Sequence, residues 1–160
     1  NANIAMSGQS ARVATAAAGW RRLPADTGLA LAHDSEARAV LQQGRLARML
    51  SDSVLAVGLA GTANEQAIGL GLPLVTLPGA GNQGAAFVKM KMQYFGAAAI
   101  DTPRDAGAVA RAVDALLDDP TRRARMGAAG RERMGPPGAS AAIARAIAAR
   151  VSVLRAGGRP

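Results

Sequence analysis

The chain has no cysteine and a single histidine, His33, among its 160 residues. Disulfides and thiolate metal sites are thereby excluded, and one imidazole leaves no basis for a His-rich metal centre or a His-based catalytic set. No D-x-D motif occurs either, and no metal is expected. Aromatics are equally scarce. Trp20, Phe87, Tyr94 and Phe95 are all there are, too few for the stacking platforms on which single-stranded nucleic acids lie. No apolar run reaches the ~18 residues of a membrane span, and no signal-peptide pattern opens the chain. A cytoplasmic location is the expectation. The first two residues, Asn1 and Ala2, read as the remnant of a cleaved tag, and the chain reads as an expressed fragment.

Acidic residues are also few, 11 against 19 basic ones, giving a net charge of +8. Two of the basic residues are lysines, Lys89 and Lys91, and the other 17 are arginines. Arginine's planar fork of donors suits phosphate, so anionic partners fit the composition. The arginines are scattered, however, in a chain rich throughout in alanine, arginine and glycine, which is how a biased composition looks. No nucleic-acid partner is expected. The densest basic stretch, Thr121 to Arg133 (TRRARMGAAGRER), reads as a solvated helical face, with contact to an anionic membrane surface as the second reading.

Hydrophobic residues make up 49% and charged residues 19%, so what is present folds. Periodicity alternates along the chain. NIAMSG (3–8) reads as a strand, 10–20 as an alanine-rich helix, and LALAH (29–33) as a strand. Glu36 to Leu50 reads as an amphipathic helix with Val40, Leu41, Leu46, Met49 and Leu50 on its apolar side. VLAVGL (54–59) is a continuous apolar run, as in a parallel strand covered on both faces. A helix over 63–70, a strand over 74–77, a helix over 83–95 and a strand over 97–100 follow. Helices over 105–117, 121–134 and 140–154 finish the chain. The predicted class is α/β, a parallel sheet flanked by helices, with 54–59 and 74–77 as neighbouring central strands. Residues 3–138 form the α/β domain and 139–160 a C-terminal helix and tail, whose apolar stripe is Ile143, Ile147, Val151 and Leu154.

Several marked stretches read as structural. Asp118-Asp119-Pro120 is a helix stop followed by a helix start, and Gly135 to Gly138 (GPPG) is a rigid turn. In KMKMQYF (89–95) Met90 or Met92 is expected in the core and the lysines in water. His33 reads as a satisfied polar residue at a strand end.

Two glycine-rich stretches carry possible chemistry. LPGAGNQG (77–84) contains G-x-G-x-x-G at Gly79, Gly81 and Gly84, with Asp101 closing the next apolar run, the pattern of a dinucleotide fingerprint. Pro78 stands before the first glycine, and some seventy residues of α/β pattern precede it. The stretch therefore reads as the turn after a later strand, and Asp101-Thr102-Pro103 as a helix-entry turn. The second stretch runs from Val54 to Gly79. There an apolar strand ends in a glycine turn, Gly58 to Gly61, and Thr62 and Glu65 open a helix. Such a turn aims free backbone N–H groups and the positive helix end at a diphosphate, and a carboxylate one turn on can accept from a ribose diol. T-x-x-E is also a capping box, in which Thr62 and Glu65 only satisfy backbone donors. Spacing leaves both readings open.

GTANEQAIGLGLPLVTLPG (61–79) resembles the donor-nucleotide motif in the C-terminal half of GT-B glycosyltransferases. It is similar to that of the peptidoglycan N-acetylglucosaminyltransferases and lipid-A-disaccharide synthases, in particular the lipid-A-disaccharide-synthase-related group, with its G-T-A-x-E-Q-x-x-G-L-G-x-P-V and P-G-x-G segments. RERMGPPGAS (131–140) resembles that group's C-terminal segment, and the likeness spans roughly 20–151. It implies a Rossmann-like domain that binds a UDP-sugar and uses no cofactor. Gly61 and Thr62 would hold the diphosphate, Glu65 the ribose hydroxyls and Gln83 the donor sugar, and the helix start at Gly44, Arg45 and Leu46 would meet the uracil. Relatives often have an aromatic directly after the Gln83 position, where this chain has Gly84. The acceptor site and general base would lie on an N-terminal domain outside this sequence, so the chain alone is expected to bind uridine diphosphate weakly and turn over no donor. A sugar-nucleotide 2-epimerase half and a non-enzymatic dinucleotide-binding module are the other readings. The location implied is cytoplasmic, peripheral to the inner membrane.

Overall fold

The computed structural model describes residues 2–5, 20–23, 29–33, 38–42, 44–59, 61–155 and 157. Two sheets are present among them. The first has the order β1-β4-β3-β2 and is mixed. Strand β1 (Ala2–Ala5) runs parallel to β4 (Arg38–Gln42), which pairs antiparallel with β3 (Leu29–His33), itself antiparallel to β2 (Trp20–Leu23). LALAH is thus a strand, as its apolar character predicts. The helix expected over 36–50 is not formed as one element. Its first half is β4, and only α1 (Leu46–Ser51) is helical. Gly44 separates them with φ 73°, a left-handed angle that neither a strand nor a right-handed helix can carry through. Trp20, expected to end a helix, opens β2, and the body of that helix (10–19) lies outside the described residues, as does 6–8 of the first predicted strand.

The second sheet is parallel and three-stranded, β5 (Ala56–Gly58), β6 (Leu74–Thr76) and β7 (Ala99–Asp101), in that order. Helices α2 (Thr62–Gly69) and α3 (Ala85–Phe95) make the two crossovers. The neighbouring strands expected from the two apolar runs are therefore found, and they run parallel. Only β6 is central. Strand β5 pairs with β6 alone among the described residues, and its cover is partial: Ala56 and Leu55 pack against the two cores, while Val57 is 50% exposed.

Alternation along β6 creates two cores, one on each face of the sheet. Leu74 packs with Ile68, Phe95, Ala98 and Ala99, with Met92 and Met134 against them. Val75 packs with Leu116 and Met126, closed by Val109, Ala112 and Val113 of α4 (Ala106–Leu117). Helix α5 (Pro120–Met134) reaches both cores because two of its glycines let backbones meet. A Cβ on Gly127 would stand 2.3 Å from the Gly71 carbonyl oxygen, and one on Gly130 2.6 Å from that of Ile68.

The helix boundaries follow their chemistry. Asp105 caps α4 by accepting from the Ala108 N–H at 2.8 Å, and Asp119 caps α5 by accepting from Arg122 N–H at 2.7 Å, with Pro120 in its first turn. Asp118-Asp119-Pro120 is the stop-and-start it resembles in sequence. Part of the arginine excess is spent on helix C-termini. Arg123 donates to the carbonyls of Leu116 and Leu117, and Arg133 to those of Gln93 and Tyr94. The GPPG turn then leads into α6 (Ala139–Arg155), none of whose residues is buried. No helix among the described residues is long and apolar enough to cross a membrane.

Candidate functional site

The site is built where β5 and β6 end. Gly58 closes β5, and its missing side chain leaves room for Asn64: a Cβ there would meet the Asn64 Oδ1 at 1.9 Å and displace that amide. Asn64, 5% exposed, thus lies directly on the strand end. Gly61 is the N-cap of α2, with φ 97°. Nothing lies within 4 Å of where its Cβ would stand, so the backbone angle, not crowding, calls for glycine.

The capping-box reading fails at this point. No side chain caps α2, Thr62 is its first helical residue and not the cap, and the Glu65 carboxylate turns away to Lys91. The first-turn N–H groups of Thr62 and Ala63 have no partner inside the helix and face outward with the positive helix end.

Beside this turn is a small cleft with a volume of about 10 Å³, room for about one water. Leu59, Gly61 and Asn64 form one wall, Thr76 the floor at the end of β6, and Phe87, Val88, Lys91 and Phe95 of α3 the other wall. It lies at the carboxyl ends of parallel strands, where open α/β sheets place their ligands. A group the size of a phosphate oxygen fits into it; anything of nucleotide size must lie across its mouth.

Lys91 supplies the charge. Its Nζ donates to Glu65 Oε1 at 2.5 Å, and both side chains keep partial access to water, 23% and 31% exposed. The sequence reading put both lysines in water. Lys89 is exposed, but Lys91 is half-buried because α3 turns it toward α2. Of the two methionines offered to the core, Met92 packs there and Met90 is exposed.

The structure brings some of the expected residues together and leaves others apart. Gly61 lines the cleft, Thr62 follows it at the exposed start of α2, and Glu65 joins through Lys91. Gln83 does not line the cleft. It is exposed in a single 3₁₀ turn, Gly81–Gln83, where its carbonyl accepts from the Gly79 N–H at 2.8 Å. Gly44, Arg45 and Leu46 are at the start of α1, and none of them lines the cleft. The G-x-G-x-x-G turn follows β6, the second strand of the parallel sheet, as its preceding proline suggests. Sequence reasoning missed Lys91, Phe87, Asn64 and Thr76. A signal for the first two was present: Phe87, Lys91, Tyr94 and Phe95 recur at helical spacing in a chain with two lysines and four aromatics.

No family model matches the chain, and no curated protein or solved structure matches it.

Proposed function

We propose that residues 3–138 are the nucleotide-sugar-binding domain of a glycosyltransferase, the Rossmann-like half of a GT-B fold whose donor is a UDP-sugar. The observation that carries this reading is the start of α2. Its cap lacks a side-chain partner, it points from the carboxyl end of a parallel strand, and the Glu65 carboxylate one turn on is free of any capping duty. Gly61 and Thr62 hold the diphosphate through backbone N–H groups, and Glu65 accepts from the ribose diol. Gln83 takes the donor sugar and Gly44 to Leu46 the uracil. Both of these contacts rest on the motif, since neither segment lines the cleft. The acceptor belongs to lipid or cell-envelope glycan synthesis, and its site to an N-terminal domain on which 139–160 packs. The protein works in the cytoplasm, peripheral to the inner membrane.

Calorimetry with uridine diphosphate, a UDP-sugar and NAD tests the reading. Glu65→Ala should weaken both uridine ligands by roughly 1–3 kcal/mol, the usual worth of a hydrogen bond to a charged group. Gln83→Ala should weaken only the sugar conjugate, by about 1 kcal/mol at most for a neutral bond. Equal losses for both uridine ligands from Gln83→Ala would remove the sugar contact. Tight NAD binding, lost on replacing Gly79 or Gly81, would replace the whole reading with that of a dinucleotide module.

A further inference from the structure

Lys91 is distinguished by its surroundings. The chain has four aromatic residues, and three of them surround this one ammonium. Nζ lies 5.7 Å from the ring centroid of Phe87, 5.7 Å from that of Tyr94 and 5.8 Å from that of Phe95. Aromatic faces attract a cation through their quadrupole. They hold the charge in place while Glu65 takes one of its three N–H donors. The remaining donors sit on a residue that lines the cleft together with Gly61 and Asn64. Asn64, 5% exposed, lines the same cleft and adds a polar amide to its wall.

We propose that Lys91 is the phosphate-binding cation of this cleft, parked on Glu65 until a phosphate displaces the carboxylate. The exchange keeps charges matched. A diphosphate brought to the start of α2 approaches the Glu65 carboxylate, a like charge, and Lys91 between them offsets the repulsion. Once the phosphate has taken Nζ, both oxygens of Glu65 are open to a ribose diol, and its charge is met by two hydroxyl donors. The ribose half rests on the nucleotide reading above; the phosphate half stands on the surroundings of Lys91 alone.

The test uses calorimetry with three probes: inorganic pyrophosphate, uridine and uridine diphosphate. Circular dichroism checks the fold of each variant. Lys91→Met should lower affinity for pyrophosphate and uridine diphosphate by about tenfold or more, the loss of a charge-assisted bond. Uridine should bind that variant as well as wild type or better, because Glu65 is released; a merely structural role would weaken all three. Lys91→Arg keeps the charge and should stay within about threefold for pyrophosphate. Glu65→Gln should move the two halves in opposite directions, tightening pyrophosphate and weakening uridine, and this variant decides the matter should Lys91→Met fail to fold. Pyrophosphate affinity within about twofold of wild type in Lys91→Met, or weakened in Glu65→Gln, overturns the proposal. Pyrophosphate binding that depends on Lys91, without any uridine binding, would end the nucleotide reading and leave Lys91 assigned. Uridine binding with no Lys91-dependent pyrophosphate binding would do the reverse, and binding of no probe ends both.

Discussion

Helices α5 and α6 follow one another across the GPPG turn, and they behave oppositely to their composition. Helix α5 carries five arginines and a glutamate in fifteen residues, yet Met126, Gly127 and Gly130 are buried and the helix serves both cores. Helix α6 carries an isoleucine, valine and leucine stripe and buries nothing. Apolar content therefore does not decide which helix joins this core. Close backbone approach does, since two glycines at i and i+3 present a face without side chains to the α2–β6 turn. The arginine heads around it are used as caps for carbonyls that would otherwise lack partners.

The largest expected effect comes from filling that face. Gly127→Val places a branched side chain against the Gly71 carbonyl, a backbone atom in a turn tied by the bonds from Gly71 N–H to Ile68 and from Leu72 N–H to Ala67. Overpacking of this kind costs about 1–3 kcal/mol, and a clash with backbone belongs at the upper end. The matched change Ala144→Val, on exposed α6, should cost only the propensity difference, about 0.5 kcal/mol. Denaturant unfolding of both variants measures the contrast. Equal losses would show that α5 is not held by backbone proximity.

The same contrast separates what the sequence reveals from what it hides. The parallel half was legible because its signals are local. Apolar runs bounded by glycine turns gave β5 and β6, and Asp-Asp-Pro gave the boundary of α4 and α5. The run VLAVGL states that a strand is apolar but not where it stands in a sheet; among the described residues β5 pairs with β6 alone and is partly covered. Arg38–Gln42 is a strand and not the start of a helix for a related reason. Its residues suit either a helix or a strand, and pairing with β1 and β3 decides between them. At the site, Gly61 and Glu65 stand in one motif and were legible together. The Lys91–Glu65 pair spans 26 residues and two elements, beyond any local window.

A smaller effect is expected from the arginine caps. Arg133→Ala removes two donors from the last carbonyls of α3, at 2.7 Å to Tyr94 and 2.5 Å to Gln93. Those carbonyls are near water, which replaces most of what is lost, so the expected cost is about 1 kcal/mol. Arg133→Lys keeps the charge but not the fork that spans two carbonyls and should recover only part of it. Full recovery in lysine would mean that charge at the helix end matters and geometry does not.

The smallest effect tests α6 itself. Ile143 and Ile147 are each 60% exposed, and Val151 and Leu154 continue the stripe at 40% and 53%. Isoleucine and serine have nearly equal helix propensity, so replacing both isoleucines by serine changes surface chemistry while leaving the backbone preference almost untouched. On this structure the double variant should unfold within about 0.5 kcal/mol of the parent, the range of ordinary surface substitutions. Urea unfolding monitored by circular dichroism is sensitive enough to decide. A loss above about 1.5 kcal/mol could arise only if apolar atoms cover these two side chains in the folded chain. The contrast between a helix that packs by its glycines and one that leaves its isoleucines in water would then no longer hold.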